Sequence, residues 1–326
     1  NRLKYLVTGG AGYIGSVCVE FLLDAGHTVF VIDDLRQGRR KAVEPDAIFY
    51  EAQCGDRTVL DKIFAQGIDG VFHLAAEISV PLSMENPTLF YEVNLSQGIN
   101  LLEAMCEADC RTMVFSSTAA VFGEPVQSPI DESHPKHPCN PYGDSKLAFE
   151  HLLRWYHICH GFRVHIFRYF NAAGATERHG EARPVEEHLV PLAFSAILGR
   201  RNHLTVFGND YPTEDGTCVR DYLHVHDIAT AHILSAEYLA RHHDFDDFNL
   251  GSSTGTTVLD VVSAVERITG LPVPYTIGAR RAGDPAMLVA SSEKAMRKLG
   301  LHFQRSTIEE IIKSAWIWTQ SPESYE

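Results

Sequence analysis

Tyr5-Leu-Val-Thr-Gly-Gly-Ala-Gly-Tyr-Ile-Gly15 sets the architecture of this chain. The apolar run Tyr5 to Val7 reads as a buried strand, and the pattern from Val17 to Ala25 as a helix. Between them Gly10, Gly12 and Gly15 stand as G-x-G-x-x-G, preceded by a further Gly9. Strand, glycine turn and helix in this order form a dinucleotide-binding fingerprint. One glycine permits the turn, another lets backbone approach a pyrophosphate, and the last lets helix and strand pack closely. The helix start then offers unpaired N–H groups and a partial positive charge to the phosphates. Thr28 to Ile32 predicts the second strand, and Asp33 ends it. It lies about 20 residues past the last glycine, where an acid accepts hydrogen bonds from the adenosine ribose hydroxyls and repels a 2′-phosphate. NAD is therefore expected rather than NADP, with Arg36, Arg39, Arg40 and Lys41 read as a solvated loop.

Outward from this start, apolar runs recur at 48–50, 70–74, 112–116 and 164–170, with helical patterns at 58–65, 94–108 and 142–159. Such alternation requires crossover connections and predicts a doubly wound parallel α/β sheet of Rossmann type, with ligands beyond the carboxyl ends of its strands. From Ala172 the alternation breaks down. Polar loops are expected at 174–187 and 208–216, helices at 189–198, 258–269 and 292–299, and a short strand at 204–207. Asp227 is expected to cap a helix to Leu239, and Thr307 with Glu310 forms a capping-box pattern before a last helix to Trp318. Residues 1–172 are expected to form an NAD-binding domain and 173–326 a smaller, interleaved α/β substrate-binding domain, with segments around 222–251 returning to the first.

The 326 residues are 45% hydrophobic, enough for a large core. With 28 basic and 42 acidic side chains the net charge is −14, which argues against nucleic-acid or anionic-membrane partners. No apolar run reaches the ~18–20 residues of a bilayer span, and no signal peptide is visible. Seven cysteines without a C-x-x-C predict reduced thiols in a cytoplasmic protein. His224-x-His226 with Asp221 and Asp227 contains metal-ligand types, but reads as ordinary strand histidines on one face; no metal is expected. His134, His137, His242 and His243 read as solvated. The patterns at 94–108 and 142–159 carry apolar stripes wider than one core-facing side, so they are candidates for a contact between subunits.

Tyr142-Gly-Asp-Ser-Lys146 carries the chemistry. Tyrosine and lysine four apart on a helix project from one face. A phenol titrates near ~10, but a neighbouring ammonium and a positive nicotinamide favour the phenolate. Such a tyrosine takes a proton from a sugar hydroxyl as hydride leaves the same carbon. Ser116-Ser-Thr118 follows a predicted strand at the ligand edge; Thr118 or Ser117 offers a hydroxyl to align the reacting oxygen, with Ser116 and Ser117 also readable as turn caps.

With these stretches go His73-Leu-Ala-Ala76, Arg168-Tyr-Phe-Asn171, Phe207-Gly-Asn-Asp-Tyr-Pro-Thr-Glu-Asp-Gly216, Val219-Arg-Asp-Tyr222 and Arg280-Arg-Ala-Gly-Asp284. Over nearly its whole length the chain resembles the extended short-chain dehydrogenase/reductase family, in its UDP-glucose (UDP-galactose) 4-epimerase group. The resemblance implies an isomerase that 4-epimerises a UDP-hexose through a transient 4-keto sugar with hydride return, working as a homodimer. Tyr142 would be the base, Lys146 its partner and Thr118 the sugar-hydroxyl ligand. The cofactor site would be Gly9, Gly12, Tyr13, Ile14, Gly15, Asp33, Asp34, Gln53, Leu74, Ala75, Ala76, Asn94, Ser116, Tyr142, Lys146 and Tyr169. The substrate site would be Thr118, Tyr142, Asn171, His188, Leu189, Phe207, Arg220, Arg281 and Asp284, with the two arginines on the pyrophosphate, Asp284 at the uridine ribose and Phe207 bordering the uracil.

Three positions depart from the group. Gln53 stands where relatives have an acid for the adenine amino group, with Asp56 the alternative if the loop is shifted; His188 replaces an Asn and Ile78 a Lys. Leu288 occupies the position bounding the sugar's C2 substituent, which leaves UDP-N-acetylhexosamines open as substrates. UDP-uronic acids are a further alternative, with Arg183 or His188 to meet the carboxylate, as is another NAD-dependent nucleotide-sugar enzyme. Ala119-Ala120 replaces the Asp-Glu of related dehydratases and argues against water elimination. A regulator without turnover would have no use for the Tyr–Lys pair.

Overall fold

The computed structural model describes residues 2–321 and Ser324. Seven parallel strands form its central sheet. In chain order the first six are β1 (Lys4–Thr8), β2 (Thr28–Asp33), β3 (Ile48–Glu51), β4 (Gly70–His73), β5 (Thr112–Thr118) and β6 (Arg163–Tyr169). The short strands β7 (Asn171–Ala173), β8 (Leu204–Phe207), β9 (Val219–Arg220) and β10 (Tyr222–His224) follow, and then β11 (Phe245–Leu250), the seventh strand of the sheet. The order across the sheet is β11-β6-β5-β4-β1-β2-β3, so it reverses direction at β1 and β4. A crevice opens at such a reversal, beyond the carboxyl ends of the strands.

Helices cover both faces. On one lie α1 (Tyr13–Asp24) and α8 (Val225–Leu239), whose Val17, Val19, Leu22, Ile228 and Leu239 pack on the sheet. On the other lie α2 (Arg57–Phe64), α5 (Gln97–Glu107) and α6 (Pro141–His160), burying Leu60, Ile63, Leu101, Leu102, Phe149 and Leu153. The inner strands are buried on both faces, hence their near-continuous apolar runs, whereas the edge strands β3 and β11 are partly exposed. Two short helices, α3 (Val80–Glu85) and α4 (Pro87–Tyr91), precede α5 and were not expected from the pattern. Each carries a proline in its first turn and an N-cap side chain, Ser79 and Asn86, so the stretch reads as loop when only apolar periodicity is followed.

A third core gathers Val190 and Phe194 of α7 (Leu189–Ile197), Val261 and Val265 of α9 (Val258–Thr269), and Ile311 and Ile312 of α11 (Ile308–Gln320). Around it lie β12 (Thr256–Thr257), β13 (Tyr275–Gly278), β14 (Met287–Leu288) and α10 (Glu293–Leu299). Thr307 caps α11 by accepting from Glu310 N at 3.2 Å, as the capping-box pattern predicts.

The expectation at Asp227 is corrected. The helix begins at Val225 with His224 as its N-cap, so Asp227 lies inside the first turn. Its carboxylate, buried, instead accepts from the N–H groups of Gln304 and Arg305, both at 3.0 Å, and from Ser306 Oγ at 2.5 Å. His224 and His226 do not share a strand face, because β10 ends between them and His224 Nδ1 accepts from His226 N at 2.9 Å. His134 is buried, accepting from Val126 N, and not solvated. Ser116 and Ser117 lie in β5 and not in a turn; Thr118 is the residue that caps, accepting from Ala120 N at 3.1 Å.

Burial alone would raise the Asp227 pKa, but bonds from His226, Ser306 and the two backbone N–H groups hold it below the ordinary carboxylate value. Its contribution to stability is therefore complete above ~3.9, the unfolded value, and is lost as pH falls through the lower folded value. Asp227→Ala leaves two N–H groups and a hydroxyl unpaired and is expected to cost about 3 kcal/mol at pH 7, with the difference from the parent shrinking near pH 2. Denaturant melts at the two pH values measure both.

Candidate active site

The site grows from the glycine turn. Gly9, at φ +73°, donates its N–H to Ile32 O at 2.9 Å. A Cβ on Gly9 would stand 2.7 Å from Ala75 N, and one on Gly15 would stand 2.1 Å from Gly9 O. Gly10 faces inward, where a Cβ would meet Val31 Cγ1 at 2.7 Å. The backbone thus comes as close to strand and helix as it can. The N-cap of α1 is Gly12, which has no side chain to occupy the first N–H groups, and Gly12, Tyr13, Ile14 and Gly15 all line the cleft. This is a cradle suited to a pyrophosphate.

Asp33 closes the far side of the turn. Its Oδ2 accepts from Ala11 N at 3.0 Å and its Oδ1 from Leu35 N at 2.9 Å. Burial raises its pKa and these bonds oppose the rise. The basic loop behind it is not simply solvated. Arg36 pairs with Asp34 (2.8 Å) and Glu77 (3.1 Å), Arg39 Nε donates to Ala182 O at 3.1 Å, and the Arg40 guanidinium lies 4.6 Å from the centre of the Phe49 ring. Gln53 lines the cleft while its Oε1 accepts from Gln97 Nε2 at 3.0 Å; Asp56, the alternative to it, caps α2 by accepting from Val59 N and is not among the residues lining the cleft.

The remaining residues of the expected cofactor set, Asp34, Leu74, Ala75, Ala76, Ser116, Tyr142, Lys146 and Tyr169, line the same cleft, of about 1180 Å³. Asn94 does not. It is buried behind the wall, where it accepts from Glu77 N at 2.8 Å and donates to Glu77 O and Ser145 Oγ. Its place is to fix the strand-to-helix connection after β4.

Asn140 accepts from Gly143 N at 2.9 Å and caps α6, with Pro141 in the first turn. A Cβ on Gly143 would stand 2.5 Å from Ala120 O, so the helix start presses directly on the turn that follows β5. This contact sets Tyr142 and Thr118 on the same wall of the cleft. Burial raises the Tyr142 pKa, while the Thr118 hydroxyl and the Arg183 charge lower it. Lys146 is buried one turn on, its Nζ 4.5 Å from the centre of the Phe115 ring. Burial pushes its ammonium down to about 7, against the charge of Glu150 and the Cys54 thiol. Next to it, burial and the Lys146 charge push His73 down to about 3, leaving it neutral.

Across the cleft stand Asn171, His188, Leu189, Phe207, Arg220, Arg281, Asp284 and Leu288. Asn171 Nδ2 donates to Asp221 O at 3.2 Å, and Arg220 Nη2 pairs with Asp284 at 3.0 Å. The Arg281 guanidinium lies over the Phe207 ring at 4.0 Å, an arrangement not foreseen from the sequence. His188 and Arg183 both engage Glu181, the latter at 2.9 Å, so neither stands unpaired for a uronate carboxylate. Glu181 itself was not singled out, because a polar loop gives no periodicity to follow. Asp221 likewise went unread as a support: fully buried, it accepts from Ser252, Ser253 and Ala290 N–H groups and holds the loop between β9 and β10 beside the cleft. Among the described residues two clusters bring carboxylates and a histidine together, Glu20–Glu44–His179 and Glu181–Glu186–His188; Arg178 pairs with both carboxylates of the first and Arg183 with Glu181 of the second. Among the described residues no helix is long and apolar enough to cross a membrane, and the seven cysteines are free.

A dinucleotide cradle joined to a Thr–Tyr–Lys constellation defines a dehydrogenase-type catalyst. Over residues 5–251 the chain matches the NAD dependent epimerase/dehydratase family, and it belongs to that family. It is 46% identical to the UDP-glucose 4-epimerase of Lacticaseibacillus casei over 98% of each chain. Its fold matches the UDP-glucose 4-epimerase of Brucella ovis in complex with NAD at a TM-score of 0.94, with 39% identity over 96% of this chain and 97% of that one. It also matches the UDP-glucose 4-epimerase of Bifidobacterium longum in complex with NAD+ and UDP at a TM-score of 0.92, with 33% identity over 99% and 100% of the two chains.

Gly15→Ala places a methyl against the Gly9 carbonyl, where only backbone can give way. NAD affinity is expected to fall at least about ten-fold, with a lower melting temperature. Calorimetric titration of NAD into the variant measures the loss.

Proposed function

We propose that this protein is an NAD-dependent UDP-hexose 4-epimerase that interconverts UDP-glucose and UDP-galactose. The observation that carries the reading is that Tyr142, Thr118 and Lys146 line one cleft with the glycine turn and the Arg220–Asp284 pair. NAD in the cradle supplies a hydride acceptor that returns what it takes, so the sugar passes through a 4-keto state and the cofactor is not consumed.

Tyr142 removes the proton of the 4-hydroxyl and later gives it back. Thr118 orients both oxygens through its hydroxyl. Lys146 adds positive charge beside Tyr142, which offsets the penalty that burial places on the phenolate. Asp33 receives the adenosine ribose and excludes a 2′-phosphate, since Arg36 beside it is already paired with two carboxylates. Gly9, Gly12, Tyr13, Ile14 and Gly15 hold the pyrophosphate of NAD. Arg220 and Arg281 grip the diphosphate of the sugar nucleotide, with Asn171, His188 and Leu189 beside the sugar, and Phe207 and Asp284 at the uridine. Half-buried Leu288 borders the cleft and leaves UDP-N-acetylhexosamines within the same reading.

Residues 1–172 act as the NAD-binding domain and 173–326 as the nucleotide-sugar domain, with α8 and β11 returned to the first. The protein works in the cytoplasm as a homodimer. Ile99 on α5 and Trp155 and Ile158 on α6 are 38%, 62% and 57% exposed, which supports pairing of these helices with a second copy.

Incubation of the purified protein with UDP-glucose, without a consumed cofactor, is expected to yield UDP-galactose, and Tyr142→Phe is expected to lower turnover by about 10²–10⁴-fold while NAD remains bound. A folded, NAD-loaded Tyr142→Phe protein of normal activity would overturn the assignment. Light scattering at micromolar protein is expected to give twice the chain mass, and Trp155→Glu to give the monomer; a monomeric parent refutes the dimer.

A further inference from the structure

Tyr142, Lys146 and Glu150 follow at four-residue spacing on one face of α6. The mechanism uses the first two and leaves Glu150 unexplained. Its buried carboxylate accepts three hydrogen bonds: Ser117 Oγ at 2.5 Å and Arg168 Nε at 3.0 Å on Oε1, and Arg168 Nη2 at 2.7 Å on Oε2. Ser117 and Arg168 are register partners on β5 and β6. Arg168 also pairs with Asp247 of β11 at 2.6 Å, so one guanidinium joins the helix to the sheet edge. An apolar pair of like volume would hold these elements about as well, so stability alone does not account for a buried ion pair here.

We infer that Glu150 is a positioning residue for the Tyr142–Lys146 pair, holding the end of β5 against α6 through Ser117 and placing its negative charge one turn from Lys146. The inference rests on the roles proposed above for Tyr142 and Lys146. Ser117 is joined by a single peptide bond to Thr118, which lines the cleft with Tyr142. Any slip of Ser117 therefore reaches the atom that aligns the reacting oxygen. The groups that face Lys146 are Tyr142 and Glu150 on its own helix, the Phe115 ring on β5, neutral His73 on β4 and the protonated Cys54 thiol after β3. Among these Glu150 is the carboxylate, and its charge favours the ammonium that Tyr142 needs.

The test is the pH dependence of turnover in Glu150→Gln, beside Ser117→Ala and Tyr142→Phe. Glu150→Gln is expected to lower kcat about ten-fold, with KM for UDP-glucose and NAD content changed less than about two-fold. Its alkaline limb is expected to move to lower pH, because loss of the negative charge lowers the pKa of Lys146 and the ammonium disappears sooner. Ser117→Ala keeps the charge and is expected to lower kcat several-fold with the limb in place. A Glu150→Gln profile that superimposes on the parent's, after correction for folded protein, overturns the inference. If Glu150→Gln does not fold, Ser117→Ala decides, and unchanged kcat overturns it. Full activity in Tyr142→Phe would instead refute the reading on which the inference stands.

Discussion

Gly15 meets the carbonyl of Gly9 across a gap with no room for a methyl group, and the rest of the molecule is arranged around that contact. It sets the start of α1 against the ends of β1 and β2. The uncapped helix start, the Ala11 N–H that meets Asp33 and the wall formed by Leu74 to Ala76 all take their places from it. Because β4 and β5 follow on the far side of β1, the same crevice receives the end of β5, and with it Thr118. A second steric contact, between Gly143 and the Ala120 carbonyl, then sets Tyr142 and Thr118 on the same wall of the cleft. Two glycine contacts thus set the dinucleotide cradle and Tyr142 relative to one another.

Burial opposes charge on both members of the Tyr–Lys pair, raising the phenol and lowering the ammonium. In water neither shift would arise. In the cleft the pair responds strongly to whatever charge is brought beside it, and Arg183 and Glu150 act on it from opposite sides.

The parts of the fold written in short-range patterns were legible in the sequence. Apolar runs located β1 to β6 of the large sheet, whose inner strands are buried on both faces, and periodicity marked α1, α2, α5, α6 and α9 to within a few residues. The short motifs likewise marked residues that line the cleft, while Asn94 lies behind its wall, bonded to the backbone of Glu77. What the sequence did not reveal depends on distant partners. The capping expectation at Asp227 failed because its carboxylate serves a segment 77 to 79 residues away. Glu181 emerged only when its loop was seen to join His188 and Arg183 at the cleft. His134, read as solvated, is buried by packing against Phe122.

The edge strand β11 has a consequence for synthesis of the chain. Its hydrogen-bonded neighbour β6 ends at Tyr169, whereas β11 begins at Phe245, and α8, which covers one face of the sheet, spans Val225–Leu239. A nascent chain that has emerged only as far as β6 has an open sheet edge and one apolar face covered only by α1. Until some 80 further residues have left the ribosome, that surface is exposed to other chains, which makes the interval a period of aggregation risk and of chaperone demand. The long separation between partner strands also raises the contact order and slows closure of the sheet.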